Sequence, residues 1–183
     1  MRRVQRHQLV DYQTWADGRA TVLPDIMAIK HFRRIHVGDN LTFLFENVAT
    51  VHYQVQEMMR VERIVREKDI QHELDTYNEL LGGDGELGCV LLIEIDDEAE
   101  RAVKLVEWLD LPRHLYVIAG GKRFYATFDE RQIGDTRVSA VQYLKFDTAG
   151  VTPSAIGSDH PQLTIEATLS PSQASALADD LSI

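Results

Sequence analysis

Residues 87–95, Leu87-Gly-Cys-Val-Leu-Leu-Ile-Glu-Ile95, decide the fold because apolar side chains fill both alternating faces of this stretch. Apart from the glycine and glutamate, every residue in it is apolar, including Val90 and Leu92 on the second face. A strand that is apolar on both faces is typical of the centre of a sheet. We therefore predict that the rest of the chain folds around this strand.

Residues 1–82, which precede the strand, predict helices and one β-hairpin. A helix is expected over 11–34, with a break at Pro24, which suits the first turn of a second helical piece. Residues 35–45 alternate between apolar and polar types around Gly38-Asp39-Asn40 and predict a hairpin. Helical spacing then predicts a helix over 50–68 and another over 69–81, which Asp69 would cap.

A helix is predicted directly after the strand. Asp96 or Asp97 is placed to cap it, and Pro112 ends it. Its predicted core-facing stripe, chosen by helical spacing, consists of Ala99, Val103, Val106 and Leu109.

The remaining residues predict mainly strands. The sequence indicates a hairpin over 115–128 around Gly120-Gly121, a strand over 138–146, a polar loop over 147–161 and a last strand over 163–169. Ser170 is followed by Pro171 and Gln173, a combination typical of a helix start. A C-terminal helix is therefore expected.

These elements predict an α+β fold with a mostly antiparallel sheet. Two long helices lie in the N-terminal half, one crossover helix follows the central strand, and one helix closes the chain. A length of 183 residues suits one domain. We expect a single domain over 1–183, with the N-terminal helices and a hairpin in 1–82 and a sheet-rich half in 83–183.

The composition predicts an acidic cytoplasmic protein. Its 29 acidic and 19 basic residues give a net charge of −10, which repels phosphate backbones, so no nucleic-acid partner is expected. We see no long apolar stretch and no signal peptide, so no membrane association is expected. Cys89 is the only cysteine; it cannot form an intrachain disulfide, and in a buried strand it fits a reducing compartment. Homo-oligomerisation is left open.

Two familiar motifs lack what their function needs: one lacks the right structural context and the other lacks a residue. Gly83-Asp-Gly-Glu-Leu-Gly88 matches G-x-G-x-x-G, but it follows a helix and precedes a strand, the reverse of the order that a dinucleotide site needs. No nucleotide cofactor is therefore expected. His72-Glu73 begins like a zinc-binding helix, but Thr76 stands where the second histidine is required.

Several polar residues remain as candidates for a site. Gln54 and Glu57 lie on one face of a predicted helix, and Val61 and Ile64 continue that face as apolar residues. Glu57 is therefore expected to be partly buried, either as a metal ligand or as the ion-pair partner of Arg60. His72 is spaced three residues from both Asp69 and Asp75, as in a metal site or a solvated helix start.

A second candidate pair lies late in the chain. Asp159 precedes His160 and Pro161 and could orient the imidazole of His160, or form a simple turn. Gln142 interrupts an apolar strand and is expected to be a buried amide that needs partners.

Leu41-Thr-Phe-Leu-Phe-Glu-Asn47, together with Tyr53-Gln-Val-Gln-Glu-Met-Met-Arg-Val-Glu-Arg63, resembles an uncharacterised bacterial family known only as a domain of unknown function. Glu73-Leu-Asp-Thr-Tyr-Asn78 and Asp159-His-Pro161 fit the same family, and the resemblance covers nearly the whole chain. This sequence has Gln142-Tyr143 where the family would lead us to expect a histidine. The matching polar residues are Glu46, Asn47, Tyr53, Gln54, Glu57, Arg60, Glu62, Tyr77, Asn78, Asp159 and His160.

The resemblance implies a link to redox chemistry, because genes of this family often neighbour those for rubrerythrin and a heterodisulfide-reductase-like iron–sulfur oxidoreductase. Our first hypothesis is a metal-linked redox or stress-related accessory protein or enzyme that uses a divalent transition metal (iron, manganese or zinc). Imidazole and carboxylate ligands suit these metals, whereas the absence of a thiolate set argues against an iron–sulfur cluster. The expected metal ligands are Glu57, His72, Glu73 and His160.

The other candidate residues have different expected roles. Glu57, Asp159 and His160 are candidate catalytic residues. Cofactor binding is expected from Glu46, Gln54, Arg60 and Tyr77. Two alternatives stay open: a non-catalytic partner or assembly module for a neighbouring redox enzyme, whose acidic surface would steer a basic partner, and a metal-free enzyme with His160 as base and Asp159 as its orienting group.

Overall fold

The computed structural model describes residues 3–182. Within that range five α-helices and two antiparallel four-stranded sheets confirm the α+β class. The helices are α1 (Tyr12–His31), α2 (Val48–Glu62), α3 (Glu67–Asn78), α4 (Glu98–Glu107) and α5 (Pro171–Leu181). The strands are β1 (Arg34–Val37), β2 (Leu41–Glu46), β3 (Glu86–Ile93), β4 (Leu115–Ala119), β5 (Lys122–Tyr125), β6 (Val141–Asp147), β7 (Pro153–His160) and β8 (Leu163–Thr168).

The first sheet has the strand order β1-β2-β3-β6, so the predicted central position of β3 is confirmed. Phe43 of β2 and Gln142 of β6 both lie opposite Leu91 of β3, which is fully buried. Large apolar side chains from both sheets, α4 and α5 join in one core cluster. β3 lies between β2 and β6, and its side chains pack in a core shared with the helices and the second sheet. This position explains why both of its faces are apolar.

The second sheet has the order β5-β4-β7-β8, and its strand β7 corrects the prediction of a polar loop over 147–161. The sequence Pro153-Ser-Ala-Ile-Gly-Ser-Asp-His160 has little apolar alternation, which is why it reads as a loop. Small residues are needed there: a Cβ at Gly157 would lie 2.3 Å from the Ile165 carbonyl oxygen of β8. Close approach to neighbouring backbone, together with the fully buried side chain of Ile156, therefore fits this segment into the sheet.

The helices in the N-terminal half differ from the predictions in three ways. Pro24 lies inside the continuous helix α1 instead of breaking it. Helix α2 ends at Glu62 and not near residue 68, because Arg63 adopts a left-handed conformation with φ of 52°. Helix α3 therefore starts at Glu67, and Asp69 lies in its first turn without acting as its N-cap.

Helix starts in the C-terminal half are confirmed, but the predicted core face of α4 is wrong. Asp97 accepts a hydrogen bond from the Glu100 N–H, and Ser170 with Gln173 forms a capping box. The core contacts of α4 come from Leu105 and Trp108, whereas the predicted Val103 and Val106 are 56% and 54% exposed. Helical spacing finds apolar residues in both places, and it does not tell which face meets the core.

The N-terminal segment is held to the helices by two buried side-chain amides. Gln56 of α2 accepts from the Val10 N–H at 2.8 Å and donates to its carbonyl at 3.2 Å. Asn78 of α3 does the same for Val4, at 2.9 Å and 3.0 Å. Each amide bonds to both the N–H and the carbonyl of one backbone residue, as a neighbouring strand would. These bonds satisfy buried polar groups that would otherwise lack partners.

The glycines of the G-x-G-x-x-G match have a structural explanation. Gly83 and Gly85 lie between α3 and β3 and Gly88 lies within β3, in the predicted order of helix before strand. Gly85 has φ of +73°, and a Cβ on Gly88 would lie 1.7 Å from the Leu80 carbonyl oxygen. The turn therefore needs glycine both for backbone conformation and for close packing.

The sequence predicts a buried cysteine and no membrane-spanning segment. Cys89 is buried, and burial raises the pKa of its thiol well above the ordinary value. No helix within residues 3–182 combines the length and the apolar character needed to cross a membrane.

Candidate functional site

The second sheet brings two histidines and two aspartates together. Asp110 precedes and His114 ends a short 3-10 turn, Leu111–His114, that leads directly into β4. Leu115 of β4 lies opposite Ser158 of β7, and this register places His114 beside Asp159. We call Asp110, His114, Asp159 and His160 the His–Asp network.

Asp159 is held by three side chains. Its Oδ1 lies 3.0 Å from Nδ1 of His114, while its Oδ2 accepts hydrogen bonds from Tyr125 Oη at 2.6 Å and Arg123 Nη1 at 3.1 Å. The Tyr125 bond lowers the pKa of Asp159, and with the help of His114 and Arg123 it outweighs the opposing effect of burial. Asp159 is therefore a fixed anion beside an imidazole.

His160 is buried and has a defined tautomer. Its Nδ1 accepts a hydrogen bond from the Gln162 N–H at 3.2 Å, so the ring proton belongs on Nε2, which lies 2.9 Å from Asp110 Oδ1. Burial raises the pKa of Asp110, but the hydrogen bond with His160 and further bonds outweigh it and lower the pKa overall. His160 and Asp110 thus form a neutral–anionic pair.

His114 lies between the two carboxylates. Its Nδ1 faces Asp159, and its Nε2 lies 3.4 Å from Asp110 Oδ2. Its ring packs edge-on against the ring of His160, with the ring centroids 5.2 Å apart. Only the doubly protonated imidazolium donates to both aspartates, because carboxylates only accept. The side chain of His114 is 30% exposed, so solvent reaches it.

The structure corrects the expected pairing of Asp159 with His160. The two residues are adjacent in β7, and adjacent side chains of a strand point to opposite faces of the sheet. Asp159 therefore orients His114, and His160 takes Asp110 as its partner. We did not predict roles for Asp110 or His114; their spacing of four residues around Pro112 was the available signal.

Glu57 is the centre of a separate ion-pair cluster between α1 and α2. Trp15 Nε1 donates to Glu57 at 2.8 Å, Arg19 Nε at 2.9 Å and Arg60 Nε at 3.1 Å. Burial alone would raise the pKa of Glu57, but the hydrogen bonds from Arg60, Trp15 and Arg19 lower it to about 2. The predicted pairing with Arg60 is confirmed, and these donors occupy the carboxylate.

The other predicted cofactor-binding residues lie apart from one another. Glu46 accepts a hydrogen bond from Thr50, and burial raises its pKa against the effect of that bond. Gln54 is half-buried on α2. Tyr77 lines a cavity of about 550 Å³ together with Cys89 and Tyr143.

The expected metal ligands are not brought together. His72 and Glu73 line a surface depression with Asp69, whereas Glu57 and His160 have the separate partners described above. In the part of the chain that the structure describes, no group of three or more His, Cys, Asp or Glu side chains is arranged to hold a metal ion. The predicted set of four therefore does not fit a metal as it stands.

Comparisons with known proteins identify relatives but no activity. A family model described as "Protein of unknown function (DUF3501)" matches residues 3–181. A crystal structure at 1.90 Å of a novel protein of unknown function from Burkholderia pseudomallei K96243 is 31% identical, with a TM-score of 0.88. That match covers 98% of this chain and 100% of the other. A search of curated proteins found no match.

Proposed function

The chain belongs to this family of proteins of unknown function, and we propose that it transfers a proton to or from a small molecule at His114. One observation carries the proposal: Asp159, itself fixed by Tyr125 and Arg123, lies 3.0 Å from Nδ1 of a partly exposed imidazole. A carboxylate at Nδ1 orients a histidine and stabilises the imidazolium that forms when its other nitrogen takes up a proton.

The two carboxylates suit His114 to accept a proton, because both stabilise the imidazolium that forms. The imidazolium donates to Asp159 and Asp110, so the proton on Nε2 is held at an exposed edge of the network. Its loss to a substrate leaves a neutral ring with Nδ1–H still bonded to Asp159, and the ring is then ready to accept a proton again. A positioned acid or base of this kind contributes about 10²–10⁴ in rate.

His160 and Asp110 have a positioning role in this proposal. Asp110 contacts both imidazoles, and the buried Nε2–H of His160 holds one of its oxygens at 2.9 Å. The other oxygen thus stays directed towards His114. In this proposal Asp159 keeps its expected orienting role, but His114 replaces His160 as the residue that meets the substrate, and His160 acts only through Asp110.

The proposal is testable with 5-nitrobenzisoxazole, a small molecule whose ring opens when a base removes its carbon-bound ring proton. We expect His114→Gln to lower the protein-dependent rate about tenfold, less than the roughly 10²–10⁴ of a group acting on its own substrate, because this compound is only a probe. His72→Gln is the matched control, since His72 is an exposed histidine on α3 outside the network. Equal rates in wild type and His114→Gln would contradict the proposal.

The orienting role of Asp159 has a separate readout in the ring tautomer. Nitrogen NMR of the neutral His114 ring should show the proton on Nδ1 in the wild type and on Nε2 in Asp159→Ala, because the acceptor at Nδ1 is then missing. The same tautomer in both proteins would remove Asp159 from the site.

A metal-linked redox role, implied by the family resemblance, is the second candidate. The observation in its favour is that two imidazoles and two carboxylates, which suit iron, manganese or zinc, lie side by side in the His–Asp network. In the arrangement described, these groups bond to one another, so metal binding would require them to turn towards a common point.

Metal analysis separates the two candidates. Purified protein is loaded with Fe²⁺, Mn²⁺ or Zn²⁺, dialysed and analysed, alongside a His114→Gln/His160→Gln variant. A metal-linked role predicts about one equivalent in the wild type and loss in the double variant. Less than about 0.2 equivalents in the wild type would remove this candidate. Ring opening of 5-nitrobenzisoxazole that is insensitive to chelators would favour the metal-free site.

A further inference from the structure

Helix α4 presents an apolar stripe to solvent. Ala99, Ala102, Val103 and Val106 are all exposed and follow the i, i+3, i+4, i+7 spacing of one helix face. Val103 and Val106 are 56% and 54% exposed. The helix already buries Leu105 and Trp108 on its other side, so the stripe is a second apolar face.

The charges beside this stripe are acidic. At 100° per residue, Glu100 and Glu107 lie along one edge and Glu98 lies at the other, and all three are exposed. Arg101 donates to the Ile95 carbonyl, and Lys104 lies over the Trp108 ring and pairs with Glu107. Within α4, Glu98 and Glu100 are thus the edge acids whose charge no cation of the helix offsets.

Helix electrostatics explains only part of this pattern. Acids in the first turn favour the positive end of the helix dipole, which accounts for Glu98 and Glu100. Glu107 lies at the opposite end, where its ion pair with Lys104 offsets the unfavourable dipole. Neither the helix dipole nor the ion pair explains why apolar side chains lie between the acids and face water.

We propose that the α4 stripe binds a basic amphipathic helix of a partner protein. Small apolar residues over two turns let a second helix approach closely, and its cations would meet the acids at the edges. A second copy of this chain is a poorer occupant, because pairing α4 with α4 would bring two acidic edges together. The stripe lies outside the His–Asp network, so this proposal is independent of the proton-transfer site.

The probe is a synthetic helical peptide with leucine on one face and lysine elsewhere; in its counterpart, glutamate replaces every lysine. Titration calorimetry should detect binding of the lysine peptide only, and amide shifts in NMR spectra should change mainly over residues 98–107. Val103→Ser/Val106→Ser should weaken binding about tenfold, equivalent to the loss of about 1.4 kcal/mol.

Val61→Ser/Val65→Ser is the matched control. These two valines are 64% and 71% exposed and lie outside α4, so substituting them should leave peptide binding unchanged. Equal binding of both peptides, or equal loss in both double variants, would overturn the proposal. A concentration-dependent dimer abolished by Val103→Ser/Val106→Ser would overturn it in favour of a second copy of the chain.

Discussion

Glu57 is the side chain whose environment differs most from the one its sequence position indicates. Arg60 is one helical turn away and was foreseeable, but Trp15 and Arg19 come from α1, about 40 residues earlier in the chain. Helical spacing reports only neighbours on the same helix. The sequence therefore identifies a carboxylate with one possible partner, and only the packing of α1 on α2 supplies the other two donors.

The pKa of Glu57 predicts a pH-dependent contribution to stability. A fall from 4.5 to about 2 in the folded state corresponds to an upper value of about 3 kcal/mol. Since the folded pKa is lowered, this contribution is complete above about pH 5 and is lost as the pH falls towards 2. Glu57→Gln should thus lose most stability relative to wild type at pH 7, with the difference shrinking in acid, as measured by urea denaturation.

Glu67→Gln is the control for this experiment. Glu67 also pairs with an arginine, Arg6, at 2.7 Å, but its side chain is 66% exposed. Exposed ion pairs contribute little, so the stability of this variant should stay within about 0.5 kcal/mol of wild type. A Glu57→Gln variant with the same small, pH-independent change would show that the cluster is not stabilising.

At the scale of elements, side-chain amides replace missing strand partners in three places. Gln56 and Asn78 pair with Val10 and Val4 of the N-terminal segment, and Gln132 pairs with both backbone groups of Tyr143 on β6. β6 is a terminal strand of the first sheet, and Gln132 thus covers part of an edge that would otherwise be unpaired.

Asn78→Asp tests whether this pairing holds the N-terminal segment. An ionised aspartate accepts from the Val4 N–H but cannot donate to its carbonyl, so we expect a loss of about 1–3 kcal/mol at pH 7 and faster exchange of the Val4 amide hydrogen. Burial raises the folded pKa of such a carboxyl, and its protonated form regains a donor. The loss should therefore shrink below the pKa; a loss that is constant with pH would contradict the pairing.

The elements that could be predicted are those whose signal is local. β3, both hairpins and the caps at Asp97 and Ser170 follow from alternation and capping chemistry. β7 could not be predicted, because its place depends on small residues fitting between β4 and β8. The same limit applies to the site: Asp159 and His160 were identifiable, but Asp110 and His114 join them only through the register of β4 with β7.

At the scale of the whole molecule, the buried apolar residues form separate clusters joined by specific links. One cluster unites the two sheets with α4 and α5, and two smaller ones lie among the N-terminal segment and α1 to α3. Asn47 alone separates β2 from α2. Arg33, which follows α1, forms a bidentate ion pair with Asp180 of α5. The two side chains are 10% and 8% exposed, respectively.

These links predict that the chain unfolds as one cooperative unit, as expected for a single domain. Its two tryptophans lie in different clusters: Trp15 among the N-terminal helices and Trp108 in the sheet core. In Trp15→Phe the fluorescence reports the sheet core, and in Trp108→Phe it reports the helices. Within each variant, fluorescence and far-ultraviolet circular dichroism should give the same urea midpoint, because no intermediate is populated in two-state unfolding. Separate midpoints would mean that the helical segment and the sheets fold independently, in which case the Arg33–Asp180 pair would be a contact between two units and not part of one.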